Sequence, residues 1–224
     1  MEDKMIRVAI THGDTNGIGY EVILKTFATP TILELCTPIV YGSPKLAAYH
    51  RKALNLETSF NIIERAEDAC DGKLNILACF DDEVKVELGQ PSEEAGKAAL
   101  MALDRAMTDY RSGLYDVLVT APINKATIQG EGFHFPGHTE YIETCVGEGN
   151  KALMILMNED LRVALVTTHL PIRNVAEAIT QEAIVEKASI FNLSLKRDFR
   201  ISSPRIAVLS LNPHAGDNGL LGNE

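Results

Sequence analysis

Apolar, β-branched runs alternate along the chain with stretches of helical period. That alternation predicts an α/β fold: a mixed, mostly parallel sheet with helices on both faces. The first strand falls at residues 6–11, followed by a Gly-rich turn and a helix over 18–27. A strand at 38–41 and a helix over 44–54 complete a βαβα opening. Residues 74–80 read as a buried strand and 84–88 as a half-exposed one. Ser92 is placed to cap a long helix, with Glu93 and Glu94 where the positive helix end favours acids and Gly113 where the helix should stop. Within it Ala99, Leu103, Ala106 and Met107 recur at helical spacing, so that face packs inward.

Further strands are expected at 115–120, 152–157 and 161–168. The last two are joined by Asn158-Glu159-Asp160, a turn so short that they must run antiparallel. Thr180 caps a helix to Arg197 with an apolar stripe of Ile184, Ala188, Phe191 and Leu195. A final strand at 205–211 leads into a Gly-rich tail with no helix to cover it, which suggests the front portion of a longer chain. No repeat, low-complexity tract or convincing linker divides residues 1–224.

Composition changes little in this picture but narrows the partners. At 224 residues, 46% hydrophobic and 23% charged, the chain can bury a substantial core. A formal net charge of −10 disfavours nucleic acid and anionic membrane as partners. No apolar run approaches the roughly 20 residues a spanning helix needs. The start Met1-Glu2-Asp3-Lys4 has no secretory character, so a cytoplasmic location is expected. Cys36, Cys70, Cys79 and Cys145 form no Cys-x-x-Cys pair and read as space-filling residues.

Ligands of open α/β sheets bind beyond the carboxyl ends of the strands. Three of the six histidines, His12, His169 and His214, follow expected strands directly. Imidazole is a common ligand for zinc and similar ions, although no close-spaced metal motif occurs and loop histidines are often merely solvated. The turn His12-Gly13-Asp14-Thr15-Asn16-Gly17-Ile18-Gly19 could present amides to an anion, yet it lacks the Gly-x-Gly-x-x-Gly spacing of the Rossmann fingerprint. Pro136-Gly137-His138-Thr139-Glu140 opens a short helix whose His and Thr could hold phosphate or carboxylate oxygens. Thr120-Ala121-Pro122-Ile123-Asn124-Lys125 is a second strand-to-helix junction, where Lys125 could add positive charge.

Taken together these segments resemble the 4-hydroxythreonine-4-phosphate dehydrogenase family of vitamin B6 synthesis. The resemblance rests on five ordered stretches: Ile10-Thr11-His12-Gly13-Asp14 with Gly17-Ile18-Gly19, Thr120-Ala121-Pro122-Ile123-Asn124-Lys125, Gly137-His138-Thr139-Glu140, Thr167-Thr168-His169-Leu170-Pro171 and Leu211-Asn212-Pro213-His214-Ala215-Gly216. It implies a cytoplasmic homodimer, with its site at or near the subunit interface and the fold of isocitrate and isopropylmalate dehydrogenases. The cofactors implied are NAD or NADP and a divalent metal such as Zn, Mg or Co. By the same resemblance His169 and His214 are two of three metal histidines, the third lying beyond this chain's end, and His138 and Thr139 bind substrate. His12, Asp14 and Lys125 are further candidates for anion or substrate contact.

The implied reaction is oxidation of 4-phosphohydroxy-L-threonine with decarboxylation to 3-amino-2-oxopropyl phosphate; no residue is assigned as its base. One departure stands in the first turn, where the family's usual Pro-Ala is Thr15-Asn16. Alternative readings are a sister dehydrogenase for threonate or erythronate 4-phosphate, a phosphate acyltransferase-like protein, or a remnant that binds metal or an anion without catalysis.

Overall fold

A computed structural model describes residues 5–80, 84–130 and 132–222. The chain divides into two compact units, Met1–Glu148 and Gly149–Glu224. The division falls in Gly147-Glu148-Gly149-Asn150-Lys151, where Glu148 and Gly149 both take positive φ.

In the first unit, β1 (Ile6–Thr11), β2 (Cys36–Gly42), β3 (Asn61–Ile63), β4 (Asn75–Ala78) and β5 (Val117–Thr120) form one sheet in the order β3-β4-β2-β1-β5. Every pairing in it is parallel. Successive side chains of a strand point to opposite faces, and the two faces hold separate cores. Ala9, Ile39, Tyr41 and Leu77 pack with α4 (Glu93–Arg111) and α5 (His138–Val146). Ile10, Val40 and Ile76 pack with α1 (Gly19–Thr26) and α3 (Pro44–Ala53). The expected helix-covered, mostly parallel sheet is therefore observed. A short helix, α2 (Pro30–Leu33), precedes β2.

Ser92 caps α4 as expected, and Ser43, not anticipated from the sequence, caps α3. Ser43 Oγ accepts from Leu46 N at 3.4 Å, and Ser92 Oγ accepts from Ala95 N at 3.1 Å. Inside α4, Arg105 Nε donates to Asp109 Oδ1 at 3.1 Å and Tyr41 donates to Asp109 Oδ2 at 2.9 Å, which ties the helix to β2.

In the second unit, β6 (Ile155–Met157) and β7 (Arg162–Ala164) form an antiparallel ribbon. Asn158 Oδ1 accepts from Asp160 N and Leu161 N at 3.0 and 2.7 Å, closing its turn. The ribbon is a sheet of its own and does not join the parallel one. It is followed by α6 (Val175–Ala178) and α7 (Gln181–Arg197), the latter capped by Thr180 Oγ1 on Ala183 N at 3.1 Å.

Two expected strands are corrected. Residues 84–88 form no strand; the Glu87 amide is held by the Asn16 side chain rather than by a ladder. Residues 205–211 pair with no strand among the described residues and remain largely exposed. An apolar run supplies the side chains for a strand but not the neighbouring ladder that satisfies its backbone.

Candidate functional site

The site is built where β1 and β5 lie side by side. From β1 the chain turns to α1 on one face of the sheet, and from β5 it leads to α5 on the other. Such a switch point opens a crevice beyond the strand ends, the usual ligand position in an open parallel sheet.

The two loops that leave it are locked together. Asp14 N donates to Pro122 O at 2.9 Å. Gly13, at φ +74°, is so close to the opposite loop that a Cβ would stand 2.3 Å from Pro122 O. A Cβ on Gly19 would stand 2.0 Å from His12 O, so the turn closes just as tightly on itself. Within it Asp14 Oδ1 accepts from Asn16 N at 2.8 Å and Asp14 O from Gly17 N at 3.0 Å. Asp14 is half-buried.

His12 is fully buried, so it supports this turn from below and does not reach solvent. Its Nε2–H donates to Ala98 O at 3.3 Å, which leaves Nδ1 unprotonated and without a hydrogen-bond partner among the described residues. Burial is the main reason its pKa falls from 6.5 to about 4. Tyr20 lies between two imidazoles, with ring centroids 5.1 Å from both His12 and His50 and near-parallel planes. His50 Nε2–H reaches Thr15 O at 2.9 Å, and Tyr20 exchanges hydrogen bonds with the Ser43 backbone. Neither Tyr20 nor His50 was expected at the site, because core aromatics carry no sequence signature that separates support from filling.

Beyond β5, Asn124 Oδ1 accepts from Ala126 N and Thr127 N, shaping the loop that carries Lys125. Lys125 is exposed, and its Cε and Glu140 Oε2 lie 4.0 and 3.8 Å from where a Cβ on Gly137 would stand. Gly137 is the N-cap of α5 and supplies no capping side chain, so the first amides of that helix are not taken up by one. His138 and Thr139 are half-buried there. Burial first, and then the Lys125 charge, hold the His138 pKa below its ordinary value. Its Nε2 is buried without a hydrogen-bond partner among the described residues. A neutral imidazole, an ammonium and helix-start amides can together receive an anionic oxygen.

His169 and His214 belong to the second unit, and both are exposed. His169 takes φ 57° ahead of Pro171. His214 is presented by Asn212, which is buried, accepts from His214 N at 3.0 Å and donates to Leu221 O at 2.9 Å. Among the described residues no three His, Cys, Asp or Glu gather to hold a metal. Two imidazoles are suitable donors, but on their own they do not make the three-ligand set of a catalytic metal.

A parallel α/β sheet with a switch point between β1 and β5 gives the first unit the architecture of open-sheet α/β proteins. The chain belongs to the pyridoxal phosphate biosynthetic protein PdxA family, whose model matches residues 34–224. It is 65% identical over all 224 residues to the 4-hydroxythreonine-4-phosphate dehydrogenase of Bacteroides thetaiotaomicron, spanning 62% of that relative's length. With the protein of the same name from Sulfurihydrogenibium sp. it shares 37% identity over 98% of this chain and 67% of the relative. Among solved structures, a 4-hydroxythreonine-4-phosphate dehydrogenase from Burkholderia phymatum superposes with a TM-score of 0.82 at 32% identity, covering 98% of this chain and 67% of that one.

Proposed function

We propose that the chain forms the larger part of a 4-hydroxythreonine-4-phosphate dehydrogenase: a cytoplasmic, homodimeric, metal-dependent enzyme that oxidises 4-phosphohydroxy-L-threonine with NAD or NADP. The product after decarboxylation is 3-amino-2-oxopropyl phosphate. The observation that carries this reading is 65% identity over the whole chain to a relative of that name. That relative favours a dehydrogenase over acyl transfer to phosphate.

In this reading His138, Thr139 and the first amides of α5 hold an anionic group of the substrate, with Lys125 adding charge. His138 acts as a neutral imidazole, consistent with its lowered pKa. The locked loops after β1 and β5 hold the turn bearing Asp14 against the segment that leads to Lys125. His169 and His214 are two imidazole donors for a divalent ion, and the remaining donor comes from outside the described residues. Such an ion, when bound, stabilises negative charge on the substrate's oxygen.

The test is NADH formation by the purified full-length protein with 4-phosphohydroxy-L-threonine and a divalent ion, beside threonate and erythronate 4-phosphates. Turnover of the amino-acid phosphate, with KM raised about tenfold or more by His138→Ala, is the expected result. No turnover with any of several metals, or turnover of the sugar-acid phosphates alone, would overturn the assignment.

A further inference from the structure

The first turn departs from the resembled family at Thr15-Asn16, and the structure gives Asn16 more hydrogen bonds than any neighbour in that turn. Asn16 is only 4% exposed. Its Nδ2 donates to Gln90 O at 2.8 Å and to Ser92 Oγ at 3.3 Å, while Oδ1 accepts from Glu87 N at 2.8 Å. Its main-chain oxygen accepts from Gly89 N at 2.8 Å, and its amide donates to Asp14 Oδ1 at 2.8 Å. One residue thus fastens a strap, residues 87–92, onto the turn after β1.

We infer that Asn16 is a positioning residue: by locking the 87–92 strap to the turn it fixes the Asp14 carboxylate at the switch-point crevice, and so governs substrate affinity. The inference rests on the crevice being the substrate site, as proposed above. Two segments that share no strand ladder, the turn after β1 and the strap, meet at this side chain. The strap runs into Ser92, which caps α4, and α4 in turn meets the loops of the crevice at two further points. Ala98 O receives the His12 hydrogen bond, and a Cβ on Gly96 would lie 2.0 Å from Thr127 O in the loop that carries Lys125. Displacing the strap therefore shifts the supports of Asp14 and Lys125 together.

The chemistry demands an amide at this position. Two donated hydrogens and one accepted bond are needed at once, which aspartate cannot supply and alanine cannot begin to supply. Losing these bonds leaves the Glu87 amide and Gln90 carbonyl without their partner in a nearly closed space. The Asp14 contact comes from the Asn16 backbone, so a substitution moves Asp14 only by releasing the turn. That is the signature of positioning rather than of direct contact.

The experiment compares Asn16→Ala and Asn16→Asp with the unaltered chain, each in the full-length protein, by hydrogen exchange and by steady-state kinetics on 4-phosphohydroxy-L-threonine. Asn16→Ala should speed exchange in peptides from residues 13–17 and 84–92 by about tenfold and raise KM by a similar factor, with kcat within about threefold. Asn16→Asp keeps the acceptor for Glu87 N but sets a carboxylate oxygen against Gln90 O in a buried position, and should change both readings at least as much as alanine does. Unchanged KM with only a lower melting temperature would show a purely structural residue and overturn the inference. If the unaltered full-length protein forms no NADH, the proposed function fails. Exchange then decides the positioning claim by itself, and unchanged exchange at residues 13–17 rejects it. Should Asn16→Ala not fold, Ser92→Ala removes one bond of the same clamp and must show the same direction in both measurements.

Discussion

At the residue scale, His12 shows most directly how burial changes chemistry. Its position after the first strand was readable from sequence, and so was its capacity to ionise, but not its depth. Held neutral with a pKa near 4 against 6.5 unfolded, it binds fewer protons in the folded state than in the unfolded one between those values. Stability should therefore be flat above about pH 6.5 and fall as the pH drops towards 4, by about 3 kcal/mol from this group alone. His50 and His138 are shifted in the same direction and add to the loss. Urea midpoints measured from pH 7 to pH 4.5 should show this slope, and His12→Phe should flatten it. A slope unchanged by that substitution would show that His12 already ionises inside the fold. Gly13 makes a second case: Gly13→Ala adds a Cβ both at positive φ and against Pro122 O, and should cost at least about 2 kcal/mol by the same urea measurement.

At the scale of elements, legibility followed the source of each hydrogen bond. The starts of α4 and α7 were visible because Ser92 and Thr180 are local caps, and local signals survive folding. The 38–41 strand and the end of the 6–11 strand were visible because both of their faces are buried, which leaves continuous apolar runs, whereas the 115–120 strand keeps an apolar run although Val117 and Val119 are about half exposed. Residues 84–88 alternate like a strand, yet the Glu87 amide is taken by a side chain 71 positions away, which no local pattern encodes. β3 was missed because three residues carry too little periodicity to separate from a loop. The caps give a paired prediction. Thr180→Ala should cost about 1 kcal/mol and Ser92→Ala more, because Ser92 Oγ also receives Asn16. Equal losses in thermal or urea unfolding would mean that the strap adds nothing to the start of α4.

At the scale of the whole molecule, five short motifs pointed to a family that the comparisons then showed. The sequence placed His12, Asp14, Lys125, His138 and Thr139 on separate segments. The switch between β1 and β5 explains why the loops bearing the first three touch, and why His138 follows on the opposite face of the sheet. The proposed pairing of His169 with His214 at a metal came from the resemblance, since two histidines 45 positions apart carry no spacing signature of their own. Among the described residues no helix is long and apolar enough to cross a membrane.

The central claim is a single chemical outcome, oxidation followed by loss of the substrate's carboxyl group. It is tested most directly by incubating the full-length protein with carboxyl-labelled 4-phosphohydroxy-L-threonine, NAD and a divalent ion, and measuring labelled carbon dioxide against NADH. Equal amounts of the two, rising together with time, are the predicted result. NADH without labelled carbon dioxide, or neither product across several metals, would contradict the account.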